Sequence, residues 1–206
     1  MSGARPAPGE ELNPGAETPP RASSSLILLR AGSDAPEVLL VRRNPEARFM
    51  GGAWVFPGGA FDEQDGSLAH TAVRELAEEA GVVLEEVGAL VPFSRWITPA
   101  EVKTRFDTHF FVARAPAGAE AVPDGSECVA AGWFRASDAL EAHARGELEL
   151  VFPTIKHLEE LAGFATVEIA LETAGAREVV AVQPRVVSGD DGASSVLLPG
   201  EPGYAD

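Results

Sequence analysis

A chain of 206 residues has room for one ordinary domain with a proper core. Its 32 acidic against 16 basic side chains give a net charge of −16, which excludes a general binder of nucleic acid or anionic membranes, since either needs a basic surface. One cysteine, Cys128, excludes an internal disulfide framework and fits a reducing compartment. No run approaches the ~20 apolar residues of a membrane span, and residues 26–29 are too short an apolar run for a secretory signal. The chain ends Tyr204-Ala205-Asp206, which is no peroxisomal tripeptide, so a cytoplasmic location is expected.

Residues 1–22, rich in Pro, Gly, Ala and Glu, read as a disordered tail, which leaves 23–206 as a single domain. Apolar runs at 24–30 and 37–42, separated by AGSDAP, predict two strands around a loop. Residues 53–56 predict a short strand entering the turn Pro57-Gly58-Gly59, where the backbone can approach a ligand closely. A helix follows, with capping residues at 65–67 and a stop at Gly81. Strands are expected at 90–97, 106–113 and 128–134, with Cys128 as a small buried residue of the last. Helices are expected at 137–145, capped by Ser137 or Asp138, at 153–161 with Pro153 in its first turn, and at 166–173. Residues 179–206 alternate Val-rich runs with turns and are expected to form an extension carrying an edge strand. Strands interleaved with helices in one unit predict an α/β/α sandwich with a mixed sheet.

Within the first helix, Glu75, Glu78 and Glu79 fall at i, i+3 and i+4 and share one face. Such a cluster repels itself by roughly 0.2–0.5 kcal/mol per pair. A hard divalent cation converts that penalty into a binding site, because Mg²⁺ and Mn²⁺ favour oxygen ligands. Ala69, Ala72, Val73, Leu76 and Ala80 gather on a neighbouring side, which can pack on a sheet while the acids open into a cleft. The bland alternative is a solvated acidic face. It loses ground once Gly58-Gly59, Arg74-Glu75 and Glu78-Glu79-x-Gly81 are taken together at their fixed offsets.

These residues resemble the Nudix box, G-x5-E-x7-R-E-U-x-E-E-x-G-U, with U aliphatic. Arg74, Glu75, Leu76, Glu78, Glu79, Gly81 and Val82 match its second half without a gap. The first half departs: Gly59 lies one residue too far from Arg74, and Gly66 stands where the first glutamate belongs. A one-residue insertion lets Asp65 take that place, which in the family is a structural partner of the arginine. The lengthened box is similar to that of Nudix enzymes that cleave coenzyme A and acyl-coenzyme A, through Gly58, Gly59, Asp62, Asp65, Thr71, Ala72, Arg74 and Glu75. The leader also fits at Leu39, Leu40, Arg43, Arg48 and Gly52, although Asn44 departs from the usual Ser or Ala. SRWITPAEVKTRFDTHFFVA at 94–113 resembles the same branch.

The resemblance implies a Nudix fold, with the box at 58–82, and hydrolysis of a diphosphate linkage. The expected products from coenzyme A or acyl-coenzyme A are 3′,5′-ADP and (acyl-)phosphopantetheine. It implies Mg²⁺ or Mn²⁺ held by Glu75, Glu78, Glu79 and the Gly59 carbonyl, with Glu79 or Glu78 as general base and Arg74 as the residue that orients Glu78. Glu101, Asp107, Asp124 and Glu127 are outside candidates for the base. Arg43, Arg48, Gly58, Arg95 and Arg105 are the expected substrate contacts, because guanidinium forks suit phosphates. Phe49, Trp54, Phe93 and Trp96 are candidates for stacking, against core packing as the commoner role of a large aromatic. His70, His109, His143 and His157 show no metal-ligand spacing. Two other readings stay open: a diphosphatase for ADP-ribose or an NADH-type dinucleotide, and a non-catalytic nucleotide-sensing domain. The partner implied is a small nucleotide-type molecule, with a homodimer left open.

Overall fold

The computed structural model describes residues 11–13, 17–188 and 194–204. Strand β1 (Arg21–Arg30) is the axis of the fold. Its residues 26–29 are buried because both faces are covered, and alternation sends Leu26 and Leu28 to one side, Ile27 and Leu29 to the other. It runs parallel to β6 (Phe106–Arg114) and, at its end, antiparallel to β2 (Glu37–Arg43). β5 (Val91–Ile97) extends the sheet antiparallel to β6, and β7 (Cys128–Arg135) pairs antiparallel with β2. The short β3 (Trp54–Val55) and β4 (Gly58–Ala60) join β2 and β1. β8 (Ala181–Val182) lies parallel to β5 at the sheet edge and completes eight strands. β9 (Arg185–Ser188) and β10 (Ser194–Leu197) form a separate antiparallel hairpin.

Helix α1 (Leu68–Ala80) lays Ala72, Leu76 and Ala80 against Leu26, Leu28, Leu39 and Val41. The opposite face carries α2 (Ala136–Ala144), α3 (Phe152–Leu161) and α4 (Val167–Gly175), whose Ala139, Leu158, Val167 and Ala170 meet Ile27, Leu29, Leu40 and Val112. The result is the expected α/β/α sandwich with a mixed sheet. Gly81 ends α1 in the left-handed region at φ 65°, and the Ser67 hydroxyl accepts from the His70 N–H at its start.

Four expectations change in detail. Gly58 and Gly59, expected in a turn, pair with β1 as part of strand β4. α2 grows straight out of β7 with Arg135 as its N-cap, so Ser137 and Asp138 lie inside the first turn instead of capping it. The edge strand of the C-terminal extension has two residues, and the rest of its strand structure is the detached hairpin. Toward the N-terminus β1 takes up Arg21 and Ala22, and Glu17 and Thr18 bind Arg105, so this part of the expected tail packs on the domain. Residues 1–10 and 14–16 of that tail lie outside the described residues. No described helix is long and apolar enough to cross a membrane.

Candidate active site

The site begins with two residues that have no side chain. β4 sets Gly58 opposite Ser25 and Gly59 opposite Ser24 of β1. A Cβ on Gly58 would stand 2.5 Å from the Ser24 carbonyl oxygen, and one on Gly59 would stand 2.3 Å from Oε1 of Glu75. Glycine at 59 therefore lets the first box carboxylate of α1 close directly onto the strand. Glu75 is 9% exposed and Glu79 2% exposed. Oε2 of Glu79 accepts the Gly58 N–H at 2.9 Å, and the Arg43 guanidinium lies 3.7 Å from Oε1.

Burial disfavours charge on both acids. It raises Glu75 above its ordinary value and pushes Glu79 up to about 7, against the Gly58 N–H and Arg43 and with help from the neighbouring Glu75 charge. The Cys128 thiol, buried in its strand, is raised by burial and by the nearby Glu79 carboxylate.

Arg74 organises the outer half. Its Nε and NH2 grip both oxygens of Asp65 at 2.8 and 3.0 Å, and NH1 reaches Glu75 at 2.9 Å and Glu78 at 2.8 Å. The Arg74 fork holds Asp65 down at about 2. The extra residue of the box is absorbed by a 3-10 turn, Glu63–Asp65, capped by Asp62 and closed by Gly66 at φ 72°. Gly66 replaces the first box acid because it is the left-handed end of this turn, and Asp65 one residue earlier meets the arginine.

Glu78, by contrast, is exposed and turned toward Arg74. Among the described residues no three His, Cys, Asp or Glu side chains are gathered as they stand to hold an ion. The three-carboxylate face read from the helix spacing is thus divided: Glu75 and Glu79 sit at the buried edge of α1, and Glu78 points outward. The donor set still suits a hard dication. The Glu75 charge disfavours ionised Glu79 even with Arg43 and the Gly58 N–H beside it, and Glu78, Glu127 and Asp124 line an open hollow with both acids.

Beside the acids opens a cleft of about 390 Å³, reaching from Glu75, Glu79 and Arg43 to Phe49, Trp96, Phe106, Phe110 and Phe152. Met50, at φ 54°, lines it from a strained turn. Arg43 is the one basic residue among the described residues that line it. The structure brings Arg43, Gly58, Gly59, Glu75 and Glu79 together here, and it keeps three expected substrate contacts elsewhere. Arg48 is exposed outside the cleft. Arg95 is engaged by both oxygens of Asp107 at 2.8 and 2.6 Å, which also commits Asp107. Arg105 is 3% exposed and ties Thr98 to Glu17 and Thr18.

Of the outside candidates for the base, Glu101 binds the Val186 N–H, and Asp124 accepts the N–H groups of Ser126, Glu127 and Cys128. Although burial opposes it, that set of hydrogen bonds keeps Asp124 well below the usual carboxylate range. Glu127 lines both the hollow and the cleft, on a loop held by Asn44, whose N–H donates to the Glu127 carbonyl and whose side chain donates to the Ser126 carbonyl. Of the aromatic candidates, Phe49 and Trp96 line the cleft, while Phe93 is buried and Trp54 packs on Phe134. Sequence reasoning missed Phe106, Thr108 and Phe110, although the period-2 alternation of β6 already puts them on one face.

The NUDIX domain profile matches residues 19–153, and the chain belongs to that family. A NUDIX hydrolase from Alicyclobacillus acidocaldarius, known as a crystal structure, is 30% identical with a TM-score of 0.74, over 79% of this chain and 100% of its own. A Caenorhabditis elegans protein bearing a nudix hydrolase name is 24% identical over 224 residues, 90% of this chain and 75% of its own. The uncharacterized Nudix hydrolase NudL of Pectobacterium atrosepticum is 44% identical over 55 residues, a stretch that is 27% of this chain and 29% of NudL. Fold, family and carboxylate-lined cleft define a hydrolase acting on pyrophosphate bonds.

Proposed function

We propose that the protein is a divalent-metal-dependent diphosphatase for a nucleoside diphosphate derivative, with coenzyme A or acyl-coenzyme A as the substrate it suits best. The observation that carries the finer reading is the aromatic and aliphatic cleft that adjoins the buried carboxylates, since a pantetheine or acyl-pantetheine arm can be buried there. Water forms a bond to one phosphorus, the bridging P–O bond breaks, and 3′,5′-ADP and (acyl-)phosphopantetheine separate. A bound Mg²⁺ or Mn²⁺ would neutralise the diphosphate and acidify the attacking water.

Glu75, Glu79 and the Gly59 carbonyl would hold that ion, with Glu78 turning from Arg74 to join them. Glu79 or Glu78 is the proposed proton acceptor, and Glu127 lines the same space as Glu79. Arg74 acts as a brace for the acids. Arg43 supplies the positive charge inside the cleft.

One observation favours a second substrate. No described lining residue besides Arg43 is basic, so nothing there is ready for the 3′-phosphate of coenzyme A, and ADP-ribose or an NADH-type dinucleotide lacks that demand. The NUDIX domain of Shewanella oneidensis NrtR, crystallised with ADP ribose, shares the fold at 22% identity and a TM-score of 0.57. The non-catalytic reading draws no support from a box that keeps Glu75, Glu78 and Glu79.

Turnover of coenzyme A, an acyl-coenzyme A and ADP-ribose with Mn²⁺ in ¹⁸O-labelled water separates the readings. The expected result is kcat/KM at least about tenfold higher for a coenzyme A substrate, with the label in one phosphate product. Preference for ADP-ribose would overturn the finer assignment.

A further inference from the structure

The chain's last described strands contribute to the lining of the cleft. Val186 of β9 and Val196 of β10 are direct cross-strand partners, so they stand side by side on one face of the hairpin. Both line the cleft together with Pro184, Trp96 and Phe152. The hairpin is not part of the main sheet, and specific contacts attach it. The Glu101 carboxylate accepts the Val186 N–H at 3.2 Å and Arg185 Nε at 3.4 Å, and the Tyr204 hydroxyl donates to the Gln183 carbonyl at 2.8 Å. Glu101 belongs to the β5–β6 loop, whose Thr98 and Pro99 also border the cleft. One carboxylate thus joins two segments around the same opening.

Most hydroxyls along the cleft, Thr154 apart, are already engaged within the protein. Ser23 and Thr108 bond each other at 2.7 Å, Ser25 donates to the Pro57 carbonyl at 3.0 Å, and Thr98 accepts the Phe106 N–H at 3.0 Å. A sugar pressed against this surface would bury hydroxyls with few partners, which is costly, whereas a hydrocarbon chain would displace water from apolar walls. Each buried methylene is worth about fourfold in affinity.

We propose that the β9–β10 hairpin is the selectivity wall of the cleft, and that Val186 and Val196 favour a hydrocarbon chain over a sugar beyond the diphosphate. The inference rests on the diphosphatase reading for where the phosphates lie. The slot itself is a property of the walls.

The test compares ADP esters carrying a hexyl or a decyl chain with ADP-ribose. Binding is measured by calorimetry on the full chain without metal, and turnover is measured separately with Mn²⁺. Wild-type protein is expected to bind the decyl ester more tightly than the hexyl ester, and both more tightly than ADP-ribose. Val196→Phe, which narrows the slot, and Val186→Asn, which makes it polar, are each expected to lower the decyl-to-ribosyl affinity ratio at least about tenfold. Melting curves verify that the variants fold, and either variant alone suffices. A wild type that prefers ADP-ribose, or variants that leave the ratio unchanged, would overturn the wall. Chain-selective binding without turnover of any ester would instead overturn the hydrolase reading and leave the wall standing.

Discussion

Gly59 decides more about this site than any charged residue, because it is what lets Glu75 touch the strand. Replacing it with alanine would set a methyl group 2.3 Å from Oε1 of Glu75, so the carboxylate must leave its place. Gly59→Ala is expected to weaken Mn²⁺ binding at least about tenfold with the fold retained, as calorimetry would read, since small displacements of ligands cost that much. The glutamates were legible from their i, i+3, i+4 spacing, and Asp65 from the lengthened box. What spacing could not convey is that Arg74 draws Glu78 outward while Glu75 and Glu79 are buried: that division depends on how α1 is rolled against the sheet. Nor could it reveal that Arg95 and Arg105 are already committed to Asp107 and to Thr98, Glu17 and Thr18, because those partners lie on other segments of the chain.

Among the elements, α1 was the most readable, since its start and stop are written locally in Ser67 and Gly81. Gly81 has φ 65°, and an added Cβ would meet the Val122 carbonyl at 3.1 Å. Gly81→Ala is therefore expected to cost about 1–2 kcal/mol in denaturant unfolding, with little effect on ligand binding. The start of α2 was less readable, because α2 follows β7 directly and no side chain caps it. The hairpin was the least readable element. Its valines promise strand but do not name a partner, and the tie that fixes it, Glu101 to Val186, spans distant parts of the sequence.

At the scale of the whole molecule, interleaved strands and helices foretold the sandwich, but the cleft is assembled from segments between residues 23 and 196 and no local pattern announces it. His157 is 2% exposed and ringed by Phe56, Phe93, Trp96 and Phe110, with Nε2 at 2.6 Å from the Ser94 hydroxyl. Burial lowers it from 6.5 to about 3, so the folded protein keeps it neutral where the unfolded chain would protonate it. The stability this confers is full above pH 6.5 and is lost as pH falls toward 3. Glu79 acts in the opposite sense: raised to about 7, it favours the fold below 4.5 and withdraws that support as pH rises through 7. His157→Gln should therefore flatten the fall in melting temperature between about pH 6.5 and pH 4, relative to wild type.

On the function proposed above, the buried edge of α1 recruits the dication for hydrolysis, and Mn²⁺ titration of wild type beside Glu79→Gln tests this most directly. The amide keeps the size of the side chain and an acceptor for the Gly58 N–H, so the fold should persist. Wild type is expected to show a saturable Mn²⁺ site. In the variant that site should weaken, together with a fall in turnover of at least about 100-fold, or about 2.7 kcal/mol. Equal Mn²⁺ binding and near-normal turnover in the two proteins would contradict the assignment.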